Sequence, residues 1–269
     1  MNATTGRQVH GKLGIALAIF LGWAVITMGF DVAQAGGEIS LDALVSQRIV
    51  IGLVVAPAFL LAVMAWLRWD GIGFGPPTPQ RALLLLWLPL AYIVAILASV
   101  ALRGFPPAAT IAFVFINTLL VGISEELMFR GILFRGALSR MTIWKAIWLS
   151  CILFGLIHAL NVFITGDLVP ALLQALAAFM SGVLFMALRI RSGSLYPLII
   201  IHALWDFSLF VGMPTAATPQ AAATLSPLAM AAPVLLVLPL FLYGLFLMRH
   251  VSRDFGHLSE VVDGPAPRG

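Results

Sequence analysis

The sequence predicts an all-α, polytopic membrane protein with about eight transmembrane helices and both termini in the cytoplasm. Of its 269 residues, 61% are hydrophobic and only 10% are charged, whereas a soluble domain contains about 25% charged residues. The apolar residues are gathered into runs long enough to cross a bilayer, for which a helix needs about 20 residues. Residues 1–269 are therefore predicted to form a single transmembrane domain, with no separate soluble domain.

The apolar runs are separated by short segments rich in Gly, Pro, Ser and Asp, the residues that end helices and form turns. Residues 250–269 follow the last run and are predicted to be a flexible cytoplasmic tail. The predicted spans, in chain order, are Leu13–Phe30, Ile49–Leu67, Ala82–Leu102, Ala108–Phe129 (continuing as helix to Leu138), Ile143–Ile164, Leu168–Leu188, Leu195–Val211 and Pro227–Met248.

The first run also has features of a secretory signal. Basic residues precede it, and Ala33-Gln34-Ala35 resembles a small-residue cleavage site, so Met1–Ala35 could be removed. The run Leu13–Phe30 has 18 residues, longer than the usual apolar core of a signal, which has about 7–15. The length favours a retained transmembrane helix, and cleavage would leave seven spans.

The basic residues predict the orientation, because cytoplasmic loops carry the excess of Lys and Arg. With a cytoplasmic N-terminus, only Arg48 and Arg103 lie on the outer side. The other basic residues then all lie on the cytoplasmic side: Arg7, Lys12, Arg68, Arg81, Arg130, Arg135, Arg140, Lys145, Arg189, Arg191, Arg249, Arg253 and Arg268. They are spread singly between apolar runs, so the net charge of +4 indicates topology and no nucleic-acid partner. Short loops and a compact chain favour a bacterial cytoplasmic membrane.

A few ionisable side chains fall inside the predicted spans. An acid at the bilayer centre costs about 2.5–3.5 kcal/mol on an insertion scale, and such residues usually have a function. Glu126 and Arg130 stand at i and i+4 with the acid first, the favourable order for a helical ion pair, and are predicted to pair. The other intramembrane groups are Glu125, His158, His202 and Asp206, whereas Asp31 and the remaining acids are assigned to loops or tails.

These four groups are predicted to converge. If the fourth and fifth spans form a hairpin that turns at Arg140–Thr142, Glu125 and His158 lie at the same height, about 24 Å from its tip. His202 and Asp206 are i,i+4 and therefore share one face of the seventh span. Two histidines and a carboxylate with an open position form a zinc-hydrolase ligand set. The same groups could instead act as general base and oxyanion stabiliser without a metal.

Three short motifs carry a resemblance to a known family. EELMFR (Glu125–Arg130) fits EExxxR, FGLIH (Phe154–His158) fits FxxxH, and HALWD (His202–Asp206) fits Hxxx(N/D). In this order and spacing they resemble the CAAX-protease and bacteriocin-processing (CPBP or Abi) family of intramembrane metalloproteases. The resemblance places the catalytic core within residues 108–212.

The resemblance implies hydrolysis of a peptide bond at a site reached from the cytoplasm, with zinc as the implied cofactor. Matching positions would make Glu125 the residue that activates water, His158 a partner of that water or of the metal, and Phe154 a supporting residue. His202 and Asp206 would bind metal or stabilise the oxyanion. The prenyl-protein proteases usually have Asn where this chain has Asp206, and an ionised Asp cannot donate to an oxyanion. Asp206 is therefore favoured as a metal ligand or as a group that orients a histidine.

The implied substrates are prenylated C-terminal peptides, leader peptides or another membrane protein, and the oligomeric state is left open. Two other functions compete with proteolysis. Intramembrane Glu, His and Asp also build proton relays in transporters, although the chain lacks paired repeat halves. A non-catalytic scaffold or bacteriocin-immunity protein is the third possibility, against which the intact Glu125, His158 and His202 argue.

Overall fold

The computed structural model describes residues 3–212 and 227–252, and this part of the chain is helical with no strands. A 3-10 helix, Gln80–Leu86, leads into the fourth α-helix, and a π-helical segment, Glu126–Leu133, follows the fifth. The α-helices are α1 (Ala3–Ala35), α2 (Leu41–Gln47), α3 (Ile51–Leu67), α4 (Trp87–Arg103), α5 (Ala108–Glu125), α6 (Phe134–Leu138), α7 (Ile143–Ala159), α8 (Val162–Thr165), α9 (Leu168–Ser192), α10 (Tyr196–Gly212) and α11 (Pro227–Met248).

The predicted fold class is confirmed: the chain is an all-α, multi-pass membrane protein. Within the two described ranges, six helical segments are long and apolar enough to cross a bilayer. A seventh arises if α2 and α3, which are bent by 81° at their junction, are counted as one span, and α10 is a shorter apolar helix. The number of crossings and the orientation of the termini stay predictions. Most of the predicted tail, from residue 253 onward, lies outside the described residues.

The position of Asp31 corrects the sequence analysis, which assigned it to a loop. α1 continues beyond the apolar run to Ala35, so Asp31 lies on the helix and is only 8% exposed. It packs against the first turn of α3, where a Cβ at Gly52 would lie 2.6 Å from its Oδ1. A helix N-terminus carries partial positive charge. The start of α3 therefore offers the buried Asp31 a favourable electrostatic environment.

Close helix contacts bring the conserved-looking polar segments of the chain into one bundle. A Cβ at Gly122 would lie 2.9 Å from Ile199 O, and a Cβ at Gly155 would lie 2.9 Å from Ala175 O. Glycine at these positions lets the backbones of α5 and α10, and of α7 and α9, come close together, as small residues do in membrane proteins. α9 lies between α7 and α11, and its second half is almost entirely buried.

Arg189, which the sequence analysis placed on the cytoplasmic surface, is buried at 6% exposure on α9. Its guanidinium donates hydrogen bonds to Gly71 O at 3.0 Å and to Ile72 O at 3.1 Å. Nε donates to Arg130 O at 3.3 Å. The five N–H donors of arginine can satisfy several carbonyls at once. Arg189 thus fastens the loop between α3 and the 3-10 helix onto the π-helical segment.

Candidate active site

The first glutamate of the motif lies where α-helix changes to π-helix. Glu125 is the last residue of α5, and Glu126–Leu133 form the π-helical segment, all of it buried. π-Helical turns are rare and occur frequently at functional sites. Two carbonyls of this segment accept hydrogen bonds from other helices: Phe129 O from Ser150 Oγ at 2.8 Å, and Arg130 O from Arg189. These donors satisfy carbonyl groups that a continuous α-helix would bind internally.

Glu126 and Arg130 form a fully buried ion pair. Nη1 of Arg130 lies 3.0 Å from Oε1 of Glu126, and both side chains have zero exposure. Arg130 also donates to Gly182 O at 3.3 Å, and its guanidinium carbon lies 4.1 Å from the ring centroid of Phe154. Buried charges need this combination of pairing and hydrogen bonding to be tolerated. The pair anchors the start of the π-helical segment.

Glu126 has a second partner that the sequence analysis did not foresee. Nδ1 of His202 lies 2.7 Å from Oε1 of Glu126. An ionised carboxylate only accepts hydrogen bonds, so Nδ1 of the ring is the donor. The His202 ring also stacks on Phe185, with centroids 4.8 Å apart and an interplanar angle of 15°. Together these contacts fix the ring and direct its other nitrogen, Nε2, away from Glu126.

Nε2 of His202 faces the two more accessible carboxylates. It lies 3.6 Å from Oε2 of Glu125 and 3.5 Å from Oδ2 of Asp206. The side chains of Glu125 and Asp206 are 15% and 22% exposed, whereas that of Glu126 is completely buried. The two adjacent glutamates therefore differ in role. Glu126 supports the histidine from behind, and Glu125 is open to a reacting group.

His158 approaches the cluster from α7. Its Nδ1 lies 2.7 Å from Phe154 O, and a carbonyl can only accept, so Nδ1 carries the proton. In the neutral ring, Nε2 then has the free lone pair. Glu125 lies within electrostatic range of His158, His202 and Asp206. The four groups that the depth argument brought together thus belong to one cluster.

Phe154 links the two histidines. Its ring centroid lies 5.0 Å from that of His158 and 6.0 Å from that of His202, at steep interplanar angles. It is 2% exposed and also carries the guanidinium of Arg130 on its face. Aromatic pairs and cation–π contacts of this kind stabilise buried arrangements. The motif FxxxH therefore pairs a histidine with the ring that supports it.

Sequence reasoning missed three supporting residues, which are Ser150, Phe185 and Arg189. Ser150 and Phe185 sit inside apolar runs, where no pattern distinguishes a residue that touches the cluster from one that faces lipid. Arg189 did give a signal, because it is a charge at the end of an apolar run. That signal is identical to the one that topology produces.

The donor types fit zinc, but their placement does not form a ligand group. Carboxylate oxygens and imidazole nitrogens are ordinary zinc ligands. One nitrogen of each histidine is engaged, Nδ1 of His202 with Glu126 and Nδ1 of His158 with Phe154 O. Across residues 3–212 and 227–252, no group of three or more His, Cys, Asp or Glu side chains has a geometry that could hold a metal ion.

The fold and the cluster define a class: multi-pass α-helical membrane proteins that hold carboxylates and histidines between their spans. Residues 107–208 match the family model of Rce1-like proteins, described as type II CAAX prenyl endopeptidase Rce1-like. The matched range contains Glu125, Glu126, His158, His202 and Asp206, so the resemblance to the CAAX-protease family is confirmed over this range. No curated protein and no solved structure matches the chain.

Asp206 offers a direct test of the departure from the family pattern. Its carboxylate lies beside Nε2 of His202, and an asparagine there would keep an oxygen acceptor while adding an N–H donor. We expect Asp206→Asn to lower kcat/KM by less than about tenfold and Asp206→Ala by about a hundredfold, the scale of losing one transition-state contact. Cleavage rates of the two variants measure the difference. Equal losses would contradict a hydrogen-bonding role for this side chain.

Proposed function

We propose that the protein is a CAAX-type intramembrane endopeptidase that hydrolyses a peptide bond with Glu125 as its general base. The observation that carries the proposal is the 3.6 Å separation between Oε2 of Glu125 and Nε2 of His202, inside an apolar bundle. Peptide hydrolysis needs a base that activates water and a donor that stabilises the tetrahedral oxyanion. Glu125 and His202 are a base and a donor at one place.

In the proposed reaction, the Glu125 carboxylate takes a proton from a water molecule while the water oxygen attacks the carbonyl carbon of the substrate. The carbonyl π-bond opens, and its electron pair moves onto the oxygen. His202 donates to this oxyanion from Nε2, and His158 orients the attacking water through its Nε2 lone pair. When the tetrahedral intermediate collapses, the C–N bond breaks, and the proton held by Glu125 passes to the leaving amine.

The remaining polar residues are proposed to position the reacting groups. Glu126 holds the His202 ring by Nδ1, and Arg130 neutralises Glu126. Asp206, on the same helix face as His202, provides a second acceptor near Nε2. Catalytic groups held by packing and hydrogen bonds keep their productive geometry without reorganisation during the reaction. The extensive burial behind His202 is consistent with this arrangement.

Zinc stays a proposal that rests on the donor types of Glu125, His158, His202 and Asp206. Bound near these residues, a zinc ion would act as a Lewis acid on the substrate carbonyl or on water. The proton transfers proposed for Glu125 are written without it. Access from the cytoplasm and location in a bacterial inner membrane also stay predictions, based on the charges of the loops.

The experiment that tests the proposal is peptide cleavage by the detergent-purified full chain. A quenched-fluorescence library should include prenylated C-terminal peptides and leader peptides, and metal content should be measured on the same samples. We expect cleavage, and about one zinc per chain would support a metalloprotease. Cleavage without bound metal would assign the chemistry to glutamate and histidine. Proton flux in liposomes without cleavage would replace the proposal with a transporter, and neither activity would favour a scaffold.

A further inference from the structure

The first helix reaches the candidate site although it lies outside the matched range of residues 107–208. Nε1 of Trp23, on α1, donates a hydrogen bond to Oγ of Ser124 at 2.7 Å. Trp23 is 2% exposed and Ser124 is 1% exposed. Ser124 is the residue immediately before Glu125. The bond therefore joins α1 to the end of α5, one residue from the proposed base.

Trp23 also contacts the chain on the other side of Glu125. Its ring packs edge-to-face on Phe129, with centroids 5.4 Å apart and an interplanar angle of 89°. Phe129 lies within the π-helical segment and packs in turn on Phe154 at 5.0 Å. A single side chain of α1 thus touches both the last turn of α5 and the segment that follows it.

This contact falls where the backbone changes its hydrogen-bonding pattern. Glu125 ends the α-helix, and the carbonyls that follow are bound by side chains of α7 and α9. A serine hydroxyl inside a helix often bonds to a carbonyl of its own preceding turn and bends the helix. The N–H of a buried tryptophan needs an acceptor. By occupying Ser124 Oγ, Trp23 ties the residue beside Glu125 to a second helix.

We propose that Trp23 is a positioning residue for Glu125, acting through Ser124. α1 is then part of the active site as well as part of the bundle. The inference rests on the proposed function, because it assigns a role in the reaction that Glu125 carries. A merely structural contact would affect folding or substrate binding, whereas a positioning contact affects the rate of the chemical step.

The chain contains a matched control for this bond. Trp144 donates from Nε1 to Ser252 Oγ, also at 2.7 Å, but this pair is exposed and joins α7 to the end of α11. Trp144→Phe therefore removes the same kind of tryptophan–serine hydrogen bond away from Glu125. Trp23→Phe removes the donor and keeps an aromatic ring, and Ser124→Ala removes the acceptor and keeps the helix.

The test measures kcat, KM and thermal stability for these three variants and for the double variant of Trp23→Phe with Ser124→Ala. We expect Trp23→Phe and Ser124→Ala each to lower kcat by about tenfold, the effect of one buried hydrogen bond. KM should stay unchanged, and the double variant should match the singles because one bond is lost in all three. Trp144→Phe should keep the wild-type kcat.

Other results would overturn the inference. Wild-type kcat in both single variants, an equal loss in Trp144→Phe, multiplied losses in the double variant, or a fall in activity that follows the folded fraction would each do so. The proposed function is tested separately by Glu125→Gln in the same assay. If Glu125→Gln is inactive while Trp23→Phe is fully active, only the positioning role fails. If the wild type cleaves no peptide, both fail.

Discussion

Replacing Glu125 with glutamine is expected to abolish peptide cleavage and to leave the fold intact. Glutamine has nearly the same shape, but its amide cannot take a proton from water. Oε2 of Glu125 has no hydrogen-bond partner in the protein, so the substitution breaks no bond at that atom. A positioned general base contributes about 10²–10⁴ to the rate, and we expect kcat to fall by about a thousandfold or more. Cleavage of an identified substrate by the detergent-purified variant measures the loss.

The matched control for this variant is Glu38→Gln, which makes the same chemical change at an exposed position before α2. It should retain wild-type kcat. Both variants should elute and melt as the wild type does, because neither removes an ion pair that the described part of the chain contains. A Glu125→Gln protein that kept more than about a tenth of the activity would assign the base to another group.

Much of the fold follows from composition alone. Each of the eight predicted runs coincides with one helix or with consecutive helical segments, because a long apolar stretch in a bilayer must satisfy its backbone hydrogen bonds internally. The predicted turn at Arg140–Thr142 lies between α6 and α7, where the structure has it. The end of α1 was wrong by several residues, because Asp31 ended the apolar run without ending the helix.

The cluster itself was accessible from spacing and depth. Four-residue spacing places His202 and Asp206 on one helix face, and distance from a shared turn brings Glu125 and His158 to one level. The hydrogen bond between His202 and Glu126 was not predictable in this way. It depends on the rotation of α5 relative to α10, which spacing along one helix does not define.

The π-helical segment was likewise hidden from the sequence. Glu126 and Arg130 stand four apart, which indicates a continuous α-helix, yet the residues between them are π-helical. What favours the wider turn is tertiary: Ser150 and Arg189 bind carbonyls from neighbouring helices. Local spacing therefore identified the partners correctly but not the backbone that carries them.

The second large effect is expected from breaking the buried ion pair. Glu126→Gln leaves the guanidinium of Arg130 without its carboxylate in a place with zero exposure, and Arg130→Met leaves Glu126 unpaired. Removing one partner of a buried pair typically costs about 3–5 kcal/mol. We expect both single variants to have a lower free energy of unfolding by about that amount, measured by denaturant titration in detergent, and to lose activity as well.

The double variant Glu126→Gln with Arg130→Met separates stability from function. With the cation gone, a neutral glutamine remains opposite a side chain of similar length, so much of the lost stability should return, as happens when buried ion pairs are replaced on both sides. Activity should not return, because glutamine is a weaker partner for Nδ1 of His202 than a carboxylate. A double variant that regained both stability and cleavage would show that Glu126 serves the fold alone. Recovery of stability without cleavage would assign Glu126 two roles, one with Arg130 and one with His202.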